Sequence, residues 1–234
     1  MYHTSIIRNV ILNRYEKFLA NLQLEPDLFR IKTVEMDLRG ILNPINELDN
    51  LFFKKEKWLG FQDFFTFYLE RYDKELKIEC KDNNWEDFTK GLKARLYRTQ
   101  FGFLTEYHAF LIAKLLFGDE KVNRSVTLDK KGVDFQIFYN KEIYNIHIFV
   151  DTERAWYFRK IKSKYKNVEQ EEGIHVNLPY SLQKDNIHSV KFLPNGFGIF
   201  RKDYFLYLKS QIDLGKIKNN NISSVGKNEF TYKE

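Results

Sequence analysis

The carboxylates of Asp134 and Asp151 and the imidazole of His147 fall within one short stretch of this chain. Residues 133–139 alternate apolar and polar as a strand does, and residues 143–150 are rich in β-branched and aromatic side chains. The polar link Asn140-Lys141-Glu142 separates them, so the pair reads as a β-hairpin. Side chains alternate faces along a strand. Asn145, His147, Phe149 and Asp151 therefore share one face of the second strand, and Tyr144, Ile146, Ile148 and Val150 share the other. Asp134, on the first strand, can project toward the polar face, and Glu106 lies in a helix that precedes the sheet. Carboxylates on adjacent elements can hold a hard divalent cation, and a lysine two positions further along a strand would face the same site. That set suits phosphodiester hydrolysis, in which the cation polarises the phosphate and acidifies an attacking water. Each residue also has a plain structural reading. Asp134 could be a solvated strand end, Glu106 a solvated helix face, His147 a strand histidine bonded to a neighbour, and Phe149 a core residue.

The elements that must position these residues follow from periodicity. Ile7, Val10, Ile11, Arg14, Phe18 and Leu22 recur at spacings of three and four, one face of an amphipathic helix. Pro26 and the residues to Arg30 interrupt it, and a turn-rich stretch follows around Asn43-Pro44. Phe61, Phe64, Phe65, Tyr68, Leu69 and Tyr72 mark a second helix. Asn84 caps a third, with Asp87 in its first turn, that can run to Phe117 if Gly91 and Gly102 do not break it. After the hairpin, residues 153–165 return to helical spacing, with Phe158, Ile161 and Tyr165 on one face. Strands are expected at 174–178 and 196–200 and a short helix at 203–212. The fold class is thus α/β in the broad sense, an α+β mixture: a helical region over residues 1–117, then a small mixed sheet flanked by helices over 118–213, packed with it as one unit. Residues 214–234, with Asn219-Asn220-Asn221 and Ser223-Ser224, read as a flexible tail.

Composition removes several classes. The lone cysteine, Cys80, cannot form an internal disulfide or a cysteine-based zinc site, and the five histidines show no metal-ligand spacing. There is no signal-peptide pattern and no apolar run near membrane-spanning length, so the cytoplasm is the expected compartment. The 22 Phe and 14 Tyr supply bulk for a core. The net charge of +6 permits a polyanionic partner without requiring one.

Charge placement says more. Arg154, Arg159, Lys160, Lys162, Lys164 and Lys166 follow one another with only Glu153 to offset them. If Phe158, Ile161 and Tyr165 pack on the sheet, these cations line a surface beside the hairpin and suit phosphate contacts. The plain alternative is an ordinary solvated helix face. Arg95 and Arg98, three residues apart on the third helix, could contact DNA or make buried ion pairs.

Several blocks occur in the order found in one known family. They are residues 31–38, then Leu42-Asn43-Pro44, residues 58–65 and 91–99, Gly132-Val133-Asp134, and residues 146–152, 179–183 and 195–201. With them the chain resembles the TaqI-like type II restriction endonucleases, of the PD-(D/E)xK superfamily. The resemblance implies a restriction-endonuclease-like core, a homodimer, Mg2+ (or Mn2+) as cofactor and double-stranded DNA with a short palindromic site as substrate. It also implies a companion DNA methyltransferase. Asp134 matches the family's metal-binding aspartate, and Asp151 keeps in kind the acid beyond its lysine. The family's glutamine and catalytic lysine are replaced by His147 and Phe149. Three readings follow: the lysine has migrated to Lys141, Lys160 or Arg154; His147 serves as base or ligand; or the site is inactive. The expected activity is metal-dependent cleavage of DNA, with Asp134, His147 and Asp151 catalytic and Asp134 and Glu106 on the metal. The alternative is a nuclease-derived protein that binds DNA without cutting it.

Overall fold

The computed structural model describes residues 2–34, 40–81, 84–158, 172–182 and 189–217. Arg159, Lys160, Lys162, Lys164 and Lys166 lie outside the described residues, as do most of the expected tail and parts of the matched blocks at 35–38 and 183. The chain divides into two compact units, one of residues 1–16 with 106–234, the other of residues 17–105.

In the second unit, α2 (Pro44–Asp49) starts where the sequence shows only turn chemistry. Asn43 caps it through Ile45 N (3.0 Å), and Pro44 occupies a first-turn position where a missing N–H costs nothing. A π-turn over Asn50–Lys54 continues it. Next come α3 (Phe61–Arg71), burying Phe61, Phe64 and Tyr68 at helical spacing, and α4 (Asp73–Cys80). The long helix α5 (Trp85–Phe117) begins as expected, with the Asn84 side chain accepting from Glu86 N (2.8 Å) and Asp87 N (3.2 Å). Neither glycine breaks it. Gly91 instead admits another segment: a Cβ there would meet Val34 Cγ1 at 2.9 Å and Val34 N at 3.1 Å.

Helix α1 (Tyr2–Ala20) is present, but its expected buried face is not. Ile7, Val10 and Ile11 are exposed among the described residues, while Leu12, Tyr15 and Leu19 are buried. The sequence carries two apolar stripes on this helix. Packing selects the one with Tyr15, which meets Tyr107 edge-on at 4.9 Å.

The first unit is built on a four-stranded sheet. After α5 come β1 (Val122–Asn123), α6 (Val126–Lys130), β2 (Phe135–Tyr139), β3 (Glu142–Val150), a helical turn α7 at residues 153–158, and β4 (Ile174–Tyr180). The order is β1-β2-β3-β4, antiparallel except for the parallel β3/β4 pair. Strands β5 (Val190–Phe192) and β6 (Gly198–Phe200) form a separate antiparallel pair, followed by α8 (Lys202–Asp213). The mixed sheet flanked by helices bears out the expected fold class. In the hairpin, Asn140 and Lys141 both adopt positive φ (51° and 69°), as a two-residue turn between twisted strands requires.

The sheet has two unlike faces. Phe135, Ile137, Ile146, Val176 and Leu178 are fully buried on one, and Phe110 of α5 packs edge-on against Phe135 (6.0 Å). Gln136, Asn145, His147 and Asn177 are buried on the other. Such groups persist in a core only when bonded, and Gln136 Nε2 donates to Asn145 Oδ1 (2.8 Å). The last turns of α5 thus belong to the same compact unit as the sheet.

Candidate active site

Glu106, Asp129 and Asp134 converge, each offering a carboxylate oxygen within 4.8 Å of the others. Local structure fixes all three. Glu106 lies one turn before Phe110, whose contact with Phe135 sets α5 against the start of β2. Asp129 sits on α6, whose N-terminus is capped by Ser125 Oγ accepting from Leu128 N (3.2 Å). The chain then turns sharply. Gly132 N donates to Asp129 O (2.7 Å), and Val133 N to Leu128 O (2.9 Å). Gly132 has φ of 77°, a left-handed conformation that favours glycine. Asp134 N donates to Ile146 O (2.9 Å), and its Oδ2 accepts from Ile148 N. The carboxylate is therefore anchored to β3 from both backbone and side chain.

Three carboxylates this close repel one another. Burial, then the Asp134 and Asp129 carboxylates, push the Glu106 carboxyl well above its ordinary range, and the Arg124 guanidinium acts in the opposite direction. The residue as a whole keeps some exposure, while its carboxyl group is enclosed enough for desolvation to dominate. Hard oxygen donors in a site that disfavours their own charge are a donor set suited to Mg2+ or Mn2+.

Other expected residues fall elsewhere. His147 is 3% exposed, and both its ring nitrogens are engaged. Nδ1 donates to Gly132 O (2.6 Å), because a carbonyl can only accept, and Nε2 lies 2.7 Å from His175 Nδ1. His147 is thus bonded to the turn between Asp129 and Asp134. Asp151 stands apart from the cluster: its N donates to Tyr180 O (2.7 Å) and its Oδ1 accepts from Trp156 Nε1 (2.7 Å). Phe149 packs edge-on against Trp156 at 4.9 Å, the expected apolar role.

Of the proposed stand-ins for the lysine, Lys141 and Arg154 lie among the described residues. Lys141 occupies the hairpin turn, five residues before Ile146, hence on the order of 15 Å away along the strand. Arg154 is exposed, with its guanidinium 5.7 Å from the Phe158 ring centre. Arg95 and Arg98 are bonded to backbone carbonyls. Arg95 Nη1 donates to Val34 O (2.9 Å), and Arg98 Nη2 donates to Phe29 O (2.7 Å) and Ile31 O (2.8 Å), so both hold the segment preceding residue 35 by its backbone carbonyls. Asp129, His175 and Arg124 were not among the expected residues. For Asp129 a signal existed: Ser125 and Gly132 bracket a five-residue helix, placing an acid across a tight turn from Asp134.

The TaqI restriction endonuclease family matches residues 12–189. The chain is 29% identical over 227 residues to the type II restriction enzyme TaqI of Thermus aquaticus, covering 82% of this chain and 84% of the relative. It is also 29% identical over 227 residues to a type II restriction enzyme of Thermus thermophilus, covering 83% of this chain and 85% of that relative. No solved structure matches the chain. With the match spanning most of its length and including the turn that carries Asp129 and Asp134, the chain belongs to the TaqI restriction endonuclease family.

Proposed function

We propose that this protein is a type II restriction endonuclease that hydrolyses phosphodiester bonds at a short specific site in double-stranded DNA, with Mg2+ or Mn2+ as cofactor. The observation that carries the reading is the convergence of Glu106, Asp129 and Asp134 in a chain of this family. These three residues would hold the cation. Bound there, it supplies charge that polarises the phosphate and acidifies a neighbouring water. The water oxygen forms a new bond to phosphorus as the bond to the departing sugar oxygen breaks, and that oxygen leaves as a hydroxyl. Asp134 keeps its orientation through Ile148 N, and His147 keeps the Gly132 turn closed. Arg154, Arg159, Lys160, Lys162, Lys164 and Lys166 supply phosphate contacts that give affinity without sequence information. A palindromic target calls for a homodimer, and a companion methyltransferase would protect the same site in the cytoplasm.

The test is incubation of the purified protein with unmethylated plasmid DNA and either cation. Discrete fragments, absent with Asp134→Asn, are expected. Retardation of DNA in a gel without cleavage under any divalent cation would replace the enzyme with the DNA-binding reading.

A further inference from the structure

We infer that Arg124 supplies positive charge to this active site, placed to meet the phosphate undergoing attack. This rests on the nuclease reading above. Arg124 lies between β1 and the Ser125 cap of α6, in the short connection that leads into the helix carrying Asp129. The β1/β2 register pairs Val122 with Ile137 and Asn123 with Gln136. Arg124 follows this paired segment directly, at the end of the ladder nearest Asp134. Its Nη2 is fully buried, so the guanidinium points inward from this edge rather than into solvent. It lies close enough to Glu106 for the two charges to interact.

Three carboxylates and one divalent cation leave a site short of positive charge for a phosphate whose oxygens gain negative charge during attack. A guanidinium meets that need. It stays charged at any working pH, and its planar fork matches two phosphate oxygens at once. It also cannot take a proton from water, so the division of labour is clear: the carboxylates hold the ion and Arg124 stabilises the phosphoryl oxygens. Position 149, where the family carries lysine, can then be apolar without emptying the site of its cation.

The experiment compares wild type with Arg124→Gln and Arg124→Lys, each first shown to be folded by circular dichroism. Two quantities are read: Mn2+ affinity by calorimetry without DNA, and the single-turnover cleavage rate at saturating Mn2+ and DNA. Removing a positive charge beside the carboxylates should tighten Mn2+ binding several-fold in Arg124→Gln. Cleavage in the same variant should fall on the order of 100-fold or more, the usual scale for losing one charged donor to the transition state. Arg124→Lys should keep the wild-type Mn2+ affinity and recover part of the rate. Cleavage by Arg124→Gln within about threefold of wild type, far short of that scale, overturns the inference. So does weaker Mn2+ binding accompanying its loss of rate, since a residue that only props the site would produce that pattern. If the wild type binds Mn2+ but cuts no DNA, the nuclease reading fails instead. The affinity arm then still decides whether the Arg124 charge faces the carboxylates: tighter Mn2+ binding in Arg124→Gln supports that placement, and unchanged or weaker binding overturns it. Should Arg124→Gln not fold, Arg124→Lys carries the test, and a rate equal to wild type with weakened Mn2+ binding overturns the inference.

Discussion

Asp134→Asn should stabilise the metal-free protein while abolishing its response to metal. The substitution keeps the shape and the oxygen that accepts from Ile148 N. It removes one of three carboxylates whose oxygens lie within 4.8 Å of one another. At that separation and an effective dielectric constant of about 20, a pair of unit charges repels by about 3 kcal/mol. Burial and its neighbours already push Glu106 toward the neutral form, so part of that repulsion is relieved by protonation. The gain should therefore be about 1–2 kcal/mol, or roughly 2–8 °C in melting temperature for a chain of this size. Divalent cation acts oppositely in the two proteins. At a roughly hundredfold excess over its dissociation constant it stabilises a protein that binds it by about 2.7 kcal/mol, which only the wild type should gain. The assay is thermal unfolding followed by circular dichroism, in EDTA and in a Mg2+ or Mn2+ series. An Asp134→Asn protein that melts below wild type in EDTA refutes the repulsion argument. A metal-induced shift equal to wild type's refutes the assignment of Asp134 as a ligand.

Phe149→Lys should increase Mg2+-dependent cleavage where the missing lysine limits the rate. Loss of the edge-on contact with Trp156 should cost about 0.5–1.5 kcal/mol, read by urea denaturation, and a folded variant no faster than wild type would show that the lysine is not limiting. Lys162→Glu/Lys166→Glu should weaken binding to all DNA sequences alike and flatten its salt dependence in gel-shift titrations; unchanged affinity would take this segment off the DNA. Glu16→Gln should make acid unfolding shallower. Glu16 accepts from His108 Nε2 (3.2 Å) and Lys191 Nζ (3.4 Å), and its carboxyl is held below the usual range chiefly by the His108 hydrogen bond. A depressed folded-state pKa gives stability that is full above the unfolded value of about 4.3 and is lost as pH falls through the folded value. His108, kept neutral by burial, adds acid lability already from about pH 6.5 downward, since only the unfolded state binds its proton freely. Melting temperatures from about pH 7 to 3 separate the two, and an unchanged acid limb below about pH 4 in Glu16→Gln would refute the first.

The sequence by itself determined what depends on neighbours along the chain. Alternation and the Asn140-Lys141 turn defined the β2/β3 hairpin, because a two-residue loop fixes both register and hand. The Asn84 cap and the long apolar periodicity defined α5 despite two glycines, because a single glycine costs only about 1 kcal/mol in a helix interior. Asp134 was legible because its position in the strand and the family resemblance agree. Tertiary structure alone decided the rest. Which stripe of α1 is buried depended on what lay opposite it, and Tyr15 found Tyr107 while Ile7 and Val10 found solvent. The role of His147 depended on two groups distant in sequence, the Gly132 carbonyl and the His175 ring, which claim both its nitrogens. The acidic group itself joins a helix at residue 106, a short capped helix at 129 and a strand edge at 134. Their convergence is a matter of Å-scale distances set by Phe110 against Phe135 and by the Gly132 turn, and a linear pattern does not encode distances between elements that meet only after folding.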